Sequence, residues 1–268
     1  MTAVERLRDH LPEYAIEAWC LGTFMVSACV FAVLLFYPAS PLIGIAPPLR
    51  NALMGIAMGS TAIAIIRSPW GKRSGAHFNP AVTLTFYRLG KIELVDAAAY
   101  VIAQFIGGII GVSIAWLILR GRLADASVNF VATLPGPYGT GPAFAAELAI
   151  SFVMMAVVLA TSNSTRLARF TPYFAGLLVA IYITLEAPVS GMSMNPARTF
   201  ASASFAGNWM AIWIYFIAPP LAMLGAAELF IRRRGLHAVL CAKLDHSGVS
   251  RCIFNCGPGA AQVIERAS

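Results

Sequence analysis

The chain has 268 residues, of which 59% are hydrophobic and only 12% are charged, and its mean hydropathy is +0.74. Since a soluble domain carries about 25% charged residues, these values exclude a soluble enzyme or binding domain and indicate one integral membrane domain. The formal charge of +7 does not indicate nucleic-acid binding, because the basic residues lie in short loops and form no patch with interleaved aromatic residues.

Six apolar stretches approach the length of about 20 residues that a membrane-spanning helix needs. In chain order they are Tyr14–Tyr37, Leu49–Ile66, Leu94–Leu119, Ala143–Thr161, Pro172–Pro188 and Trp209–Ile231. Two further apolar segments, Asn79–Arg88 and Asn195–Phe205, are too short to span a bilayer. We therefore predict an all-α integral membrane protein with six transmembrane helices and two re-entrant half-helices.

The distribution of Lys and Arg predicts the orientation of the chain. If both termini are cytoplasmic, 15 of the 19 basic residues lie on the cytoplasmic side, and Arg50, Arg120, Arg122 and Arg198 lie on the other. The positive-inside rule strongly favours this arrangement. We expect a multi-pass protein of the inner (plasma) membrane with both termini in the cytoplasm.

The two short segments open with related motifs, each after the second span of a three-span half, so the second half is inverted relative to the first. They read Ser74-Gly75-Ala76-His77-Phe78-Asn79-Pro80-Ala81 and Ser190-Gly191-Met192-Ser193-Met194-Asn195-Pro196-Ala197-Arg198. Asn is a favoured N-cap and Pro fits the first helical position, so each half-helix should begin at its Asn. Two positive helix ends would then meet near the bilayer centre, where the Asn amides are free to donate to a permeant.

The paired Asn-Pro-Ala boxes, the Arg after the second box and the six spans in inverted halves resemble the aquaporin (major intrinsic protein) family from about Tyr14 to Arg232. The resemblance implies a cytoplasmic N-terminus (1–13), an aquaporin-like channel domain (14–232, with repeats at about 14–119 and 142–232) and a cytoplasmic tail (233–268). It implies a homotetramer in membrane lipid that passes water and small neutral solutes (glycerol, urea, ammonia or metalloid hydroxides) and excludes ions and protons. No nucleophile–base constellation or phosphate loop is present, so we expect no enzyme activity and no cofactor.

The resemblance also implies a selectivity filter around Arg198. Met192 and Ile183 stand where water channels commonly carry a small residue and a histidine, and Met54 is the expected partner on span two, with Met58 as the alternative. Met and Ile walls favour partly apolar solutes.

Other positions favour water instead, so the identity of the solute is left open. Thr199 stands where glycerol facilitators carry Asp, and Tyr215-Phe216 keep an aromatic pair typical of water channels.

Because Met192 cannot form the thiolate that binds mercury, we expect weak inhibition by mercurials.

Three carboxylates and one histidine are candidates for supporting the pore. Glu17 and Glu147 occupy matching places in spans one and four, and the resemblance implies that they accept N–H groups from the pore-lining loops (Gly75, Ala76, His77; Gly191, Ser193); snorkelling to the interface is the alternative. Glu186 either braces the second loop or charges the outer mouth. His77 resembles a pore-lining histidine, with a packing role as the alternative.

The polar tail, which begins at Gly235, contains five residues that could bind zinc: His237, Cys241, His246, Cys252 and Cys256. The Cys252–Cys256 spacing suits a zinc site, but the remaining spacing matches no known pattern. Redox-sensitive thiols, or a tail without any site, are the alternatives. Because the tail lies outside both repeats, we expect it to be dispensable for conduction.

Two other function classes remain to be compared with the channel. An ion-coupled secondary transporter also uses inverted repeats and broken helices, but it would need coupling carboxylates at the midplane. A non-conducting membrane scaffold would not need the paired Asn residues or Arg198.

Overall fold

A computed structural model describes residues 2–247 and 251–257 of the chain. Its eight longest described helices are α1 Leu11–Phe36, α2 Pro47–Arg67, α3 Pro80–Arg88, α4 Leu94–Leu119, α5 Thr140–Ser162, α6 Thr171–Leu185, α7 Pro196–Ala206 and α8 Ile212–Arg234. All except α3 and α7 belong to segments long and apolar enough to cross a membrane, the fifth being Ala168–Leu185. The predicted all-α membrane fold with six spans and two half-helices is therefore confirmed.

Seven shorter helical segments are also present in the described part of the chain. They are Ala3–Asp9, Pro69–Ser74, Gly121–Ala124, Asn129–Val131, Ala168–Phe170, Ala187–Ser190 and Leu236–Ala238. The helix bounds differ from the sequence prediction mainly at two places. The fifth span ends at Leu185 rather than Pro188, because the chain breaks before the short Ala187–Ser190 helix, and α8 continues through its three exposed arginines to Arg234.

The spans pack in pairs that reflect the two halves: α1 packs on α4, α5 on α8, and α2 on α6 across the halves. Glycines permit the closest crossings, as a Cβ at Gly107 would lie 2.1 Å from the Ala18 carbonyl oxygen, and one at Gly111 would lie 2.4 Å from the Gly22 oxygen. Gly225 differs, since a Cβ there would have Phe152 as its nearest neighbour, at 4.0 Å. At this residue α8 does not approach another backbone.

Both half-helices begin inside the bundle and run back toward the side from which their loops enter. The N-terminal helix Ala3–Asp9, the α2–α3 loop, the described tail residues and the C-terminal end of α8 share one side, which we call the tail side. The loop before α7 enters from the opposite side, so α3 and α7 point their N-termini toward each other.

Candidate functional site

The N-termini of α3 and α7 form the centre of the site. Asn79 and Asn195 are the N-caps, each with extended backbone and with Pro at the first helical position. The Asn79 side-chain oxygen accepts the Ala81 N–H at 2.9 Å, and that of Asn195 accepts the Ala197 and Arg198 N–H groups at 3.1 and 3.2 Å. Each half-helix thus begins where the local sequence favours it.

The two Asn amides also tie the halves of the protein together. Asn79 Nδ2 donates to the Met194 carbonyl at 2.8 Å, and Asn195 Nδ2 donates to the Phe78 carbonyl at 2.7 Å. The sequence prediction left both amides wholly free for a permeant. Since an amide nitrogen carries two hydrogens, the correction is that one hydrogen on each Asn holds the opposite loop and one is left to donate.

The two loops before the Asn residues share one unusual backbone. Gly75 and Gly191 have φ of +93° and +81°, and Ala76 and Met192 follow at +54° and +47°. Positive φ is costly for residues with a Cβ, so both loops need external support. The backbone N–H and carbonyl groups of these non-helical loops also require hydrogen-bond partners inside the membrane.

Glu17, fully buried in α1, supplies that support to the first loop. Its carboxylate accepts the His77 and Phe78 N–H groups at 3.0 and 2.7 Å and the Ser74 hydroxyl at 2.8 Å. Gln104 on α4 donates to the same carboxylate at 2.9 Å. The contacts are those of a loop brace rather than of a side chain snorkelling to the interface.

Glu147, fully buried in α5, makes the matching contacts with the second loop. Its carboxylate accepts the Ser193 and Met194 N–H groups at 2.7 and 2.8 Å and the Ser190 hydroxyl at 2.9 Å. Both carboxylates therefore accept hydrogen bonds from their pore loops, at matching positions of the two inverted repeats.

Glu186 does not brace the second loop, contrary to the first of its two predicted roles. Neither carboxylate oxygen has a hydrogen-bond partner among the described residues. The physical reason is that Glu186 ends α6 at the start of the turn into the short helix, and Glu147 already accepts the loop N–H groups.

One cavity of about 270 Å³ passes the two Asn residues. Its lining extends from Phe36 and Asn51, at the side opposite the tail, to Ile66 and Leu244 at the tail side. All four predicted filter residues line it: Met54, Ile183, Met192 and Arg198. Met58, the alternative to Met54, lines it as well, one helical turn further along α2.

Arg198 is the one cationic side chain among the cavity-lining residues of the described chain. Its Nη1 is buried and has no hydrogen-bond partner among these residues. A guanidinium that lines a narrow, mostly apolar cavity can donate to a neutral permeant and repels cations.

His77 lines the tail-side part of the cavity and is held on several sides. Its Nδ1 lies 3.1 Å from the Thr83 hydroxyl, and its Nε2 lies 2.8 Å from the Ala242 carbonyl oxygen. The ring stacks between Phe86 and Phe254, with centroids 5.1 and 5.5 Å away. His77 therefore combines the pore-lining and packing roles, and two of its contacts come from the tail, which the sequence did not predict.

The tail does not extend freely into solvent. Residues 241–247 are all buried, and Leu244 donates its N–H to the Gly75 carbonyl at 3.2 Å. Arg251 binds Asp9 at 2.8 Å, and Asn255 binds Glu93 at 3.0 Å. The tail thus packs against the N-terminal segment, the first pore loop and the connection between α3 and α4.

The five predicted zinc ligands separate into two groups. Cys241, Cys252 and Cys256 form a thiol cluster, with sulfur–sulfur distances of 3.5, 3.2 and 3.0 Å. Hydrogen bonds from the Cys241 and Cys256 thiols lower the pKa of Cys252. His237 and His246 are not in the described group of ligand atoms that lie within 4.8 Å of one another. His237 is exposed in the turn after α8, and His246 is buried in the segment that follows Asp245.

Comparison with known proteins finds one matching family model and several similar sequences. The family model described as Major intrinsic protein matches residues 13–228. Aquaporin Z of Rhodopseudomonas palustris is 30% identical over 75% of this chain and 85% of its own length. Aquaporin Z of Photorhabdus laumondii is 28% identical, over 76% and 90%, and aquaporin NIP3-1 of Oryza sativa is 33% identical, over 75% and 64%.

A solved structure shares the fold. The X-ray structure of the aquaglyceroporin from Plasmodium falciparum superposes with a TM-score of 0.70, covering 82% of this chain and 95% of that one at 18% identity. At this level of identity the likeness concerns the arrangement of the helices.

Proposed function

Because the chain belongs to the major intrinsic protein family, we propose that it is a passive transmembrane channel for water and small neutral solutes. The observation that carries the proposal is the single cavity that passes both Asn N-caps and the unpaired Arg198 guanidinium. Two positive helix ends and a fixed cation oppose the entry of cations and protons, while the free amide hydrogens orient an oxygen of a neutral permeant.

The alternatives from the sequence have little support. A secondary transporter needs free carboxylates at the midplane to bind a coupling ion, and Glu17 and Glu147 are occupied by the pore loops. A non-conducting scaffold has no use for an intact Asn pair and an unpaired arginine donor in a cavity.

The solute class is set by the filter. Met54, Ile183 and Met192 give it apolar walls, and Arg198 gives it one strong donor. This combination lowers the desolvation cost for a solute with both a hydroxyl and an apolar edge. We propose that glycerol, whose CH–OH units have this character, passes in addition to water, and that urea passes because its carbonyl oxygen can accept from Arg198.

The assembly and orientation are part of the same proposal. We propose a homotetramer in the inner (plasma) membrane with both termini cytoplasmic, so that the tail side is the cytoplasmic side. The asymmetry of Lys and Arg supports the orientation, and apolar residues exposed on the outer faces of the spans, such as Ile102, Leu117 and Leu221, suit contact with lipid and with neighbouring subunits.

Stopped-flow light scattering on proteoliposomes tests the proposal. Vesicles that contain the protein should equilibrate water faster than protein-free vesicles, and should shrink and reswell faster in glycerol and urea. Uptake that saturates and follows an ion gradient would instead indicate a transporter, and the absence of any added permeability would indicate a scaffold.

A further inference from the structure

The tail and the pore meet at one residue, His77. Two separate tail segments contact this side chain: the Ala242 carbonyl lies 2.8 Å from Nε2, and the Phe254 ring stacks on the imidazole at an interplanar angle of 18°. Leu244, between these contacts in the chain, lines the same cavity as the Asn residues and Arg198. The tail therefore forms part of the wall at the tail-side mouth of the pore.

The thiol cluster joins these two segments. Cys241 directly precedes Ala242, and Cys252 and Cys256 lie two residues on either side of Phe254. The three sulfur atoms lie within 3.5 Å of one another. Anything that binds all three sulfurs fixes the two His77-contacting segments together.

The cluster has the chemistry of a site for a soft metal ion. Thiolates are the ligands that such ions prefer, and a zinc ion bound at about 2.3 Å needs sulfurs about 3.8 Å apart in tetrahedral geometry. The observed separations of 3.0–3.5 Å need only a small expansion of the cluster. Cys252 and Cys256 are exposed, so an ion reaches the site from the aqueous phase.

A second observation shows how tightly the tail fits the pore loop. A Cβ at Gly75 would lie 2.9 Å from the Phe254 ring, and Gly75 also accepts the Leu244 N–H. The buried Lys243 donates to the Arg251 carbonyl at 2.7 Å, which ties the two tail segments to each other a second time. Leu244 and Phe254 are both buried in the apolar core of the protein, so each segment seats one apolar side chain beside the loop.

We propose that the tail is a metal-dependent closure of the tail-side pore mouth: a soft divalent ion bound by Cys241, Cys252 and Cys256 holds Leu244 and Phe254 against the first pore loop, and loss of the ion releases them. This inference rests on the proposed channel function for its physiological meaning. The metal site itself stands on the cluster geometry alone.

The first test measures metal binding. Full-length protein is purified with a phosphine reductant that keeps the thiols reduced, incubated with Zn²⁺, desalted and analysed by mass spectrometry for zinc per chain. We expect one zinc ion per chain, lost in the Cys241→Ser/Cys252→Ser/Cys256→Ser variant and kept in the matched Cys20→Ser/Cys29→Ser variant, whose sulfurs are buried in α1. No bound zinc, or equal binding by both variants, would overturn the site.

The second test measures closure in proteoliposomes under the same reducing conditions. Zinc-loaded vesicles should pass water severalfold more slowly than chelator-treated vesicles, and the tail-cysteine variant should be fast and indifferent to zinc. Leu244→Ala, which removes side-chain volume from the mouth without touching the cluster, should bind zinc normally yet conduct faster than the unmodified chain in the zinc-loaded state.

The outcomes separate the two proposals. Normal zinc binding with equal permeability in loaded and stripped vesicles would overturn the closure. If no variant conducts water or glycerol in either state while zinc still binds and protects the tail from a protease, the channel function fails and the site stands. A response to oxidant with none to zinc would show a dithiol switch and overturn the metal proposal.

Discussion

At the scale of single residues, the filter combines one charged donor with three apolar side chains. Arg198 is half-buried beside the cavity and leaves Nη1 without a partner among the described residues, whereas Met54, Ile183 and Met192 offer no hydrogen bond. Selectivity in such a filter depends on the width left by the side chains and on the field of one guanidinium.

Replacement of this guanidinium should widen the filter. We expect Arg198→Val to raise glycerol and urea permeability relative to water, because the change frees volume and removes the fixed positive charge. Stopped-flow measurements on proteoliposomes give the ratio of the permeabilities. Arg122→Val, at an exposed position of the short Gly121–Ala124 helix, is the control and should leave the ratio unchanged. An unchanged ratio in a folded Arg198→Val protein would show that the constriction lies elsewhere.

A thiol placed at Met192 should make the filter sensitive to mercurials. Met192 lines the cavity beside the second Asn, so a thiolate there can bind mercury in the lumen. Because the three thiols of the tail cluster have the chemistry to bind mercury as well, the measurement needs the variant in which the three tail cysteines are Ser. In that background we expect little inhibition before, and strong thiol-reversible inhibition after, Met192→Cys. If the added thiol brings no inhibition, Met192 does not face the permeant.

At the scale of elements, the two pore loops depend on one buried carboxylate each. Glu147 accepts two backbone N–H groups and a hydroxyl of the second loop. Glu147→Gln replaces one acceptor oxygen by an NH₂ group that faces a donor, and an unsatisfied buried donor costs about 1–3 kcal/mol. We expect a lower Tm in detergent and reduced water permeability.

Glu186→Gln is the matched control for this prediction. Its carboxylate oxygens have no hydrogen-bond partner among the described residues, so loss of the charge removes a desolvation cost and no contact. Its Tm should stay the same or rise. A fall in Tm as large as that of Glu147→Gln would mean that Glu186 supports the loop after all.

The closest helix crossing should tolerate no added methyl group. Gly107→Ala places a carbon 2.1 Å from the Ala18 oxygen, which only separation of α1 and α4 can relieve, and overpacking of this kind costs about 1–3 kcal/mol. Thermal unfolding should detect it. Gly225→Ala, with its nearest neighbour at 4.0 Å, should instead be neutral or slightly stabilising, because Ala favours the helix.

The parts that the sequence predicts are those encoded locally. Six apolar runs, two Asn-Pro pairs and the paired Glu17 and Glu147 are read from short windows, and the inverted repeat supplies each observation twice. The cross-links from Asn79 and Asn195 to the opposite loop could not be predicted, since each joins residues more than 100 positions apart. The polar composition of the tail did not predict its burial, which depends on contacts such as that of Ala242 with His77, 165 residues away.

At the scale of the whole molecule, the arrangement of charge predicts exclusion of ions. Both half-helices point their positive ends at the centre of one cavity, Arg198 adds a full charge, and no carboxylate is among the cavity-lining residues of the described chain. Glu17 and Glu147 lie behind the loops, where their charge is taken up by backbone N–H groups. A cation therefore meets a positive potential and an apolar wall with nothing to replace its hydration shell.

We therefore expect neutral solutes to pass while protons do not. Proteoliposomes that contain a pH-sensitive dye, with valinomycin and K⁺ to set the membrane potential, report proton flux, and the same vesicles report water flux by light scattering. The intact protein should raise water permeability without adding to the proton leak of protein-free vesicles.

Arg198→Val should leave the proton leak low, since the two Asn-capped helix ends remain. An Asn79→Asp/Asn195→Asp variant should raise the leak, because carboxylates cancel the positive field at the centre. A proton flux through the intact protein comparable to its solute flux would contradict the electrostatic argument itself.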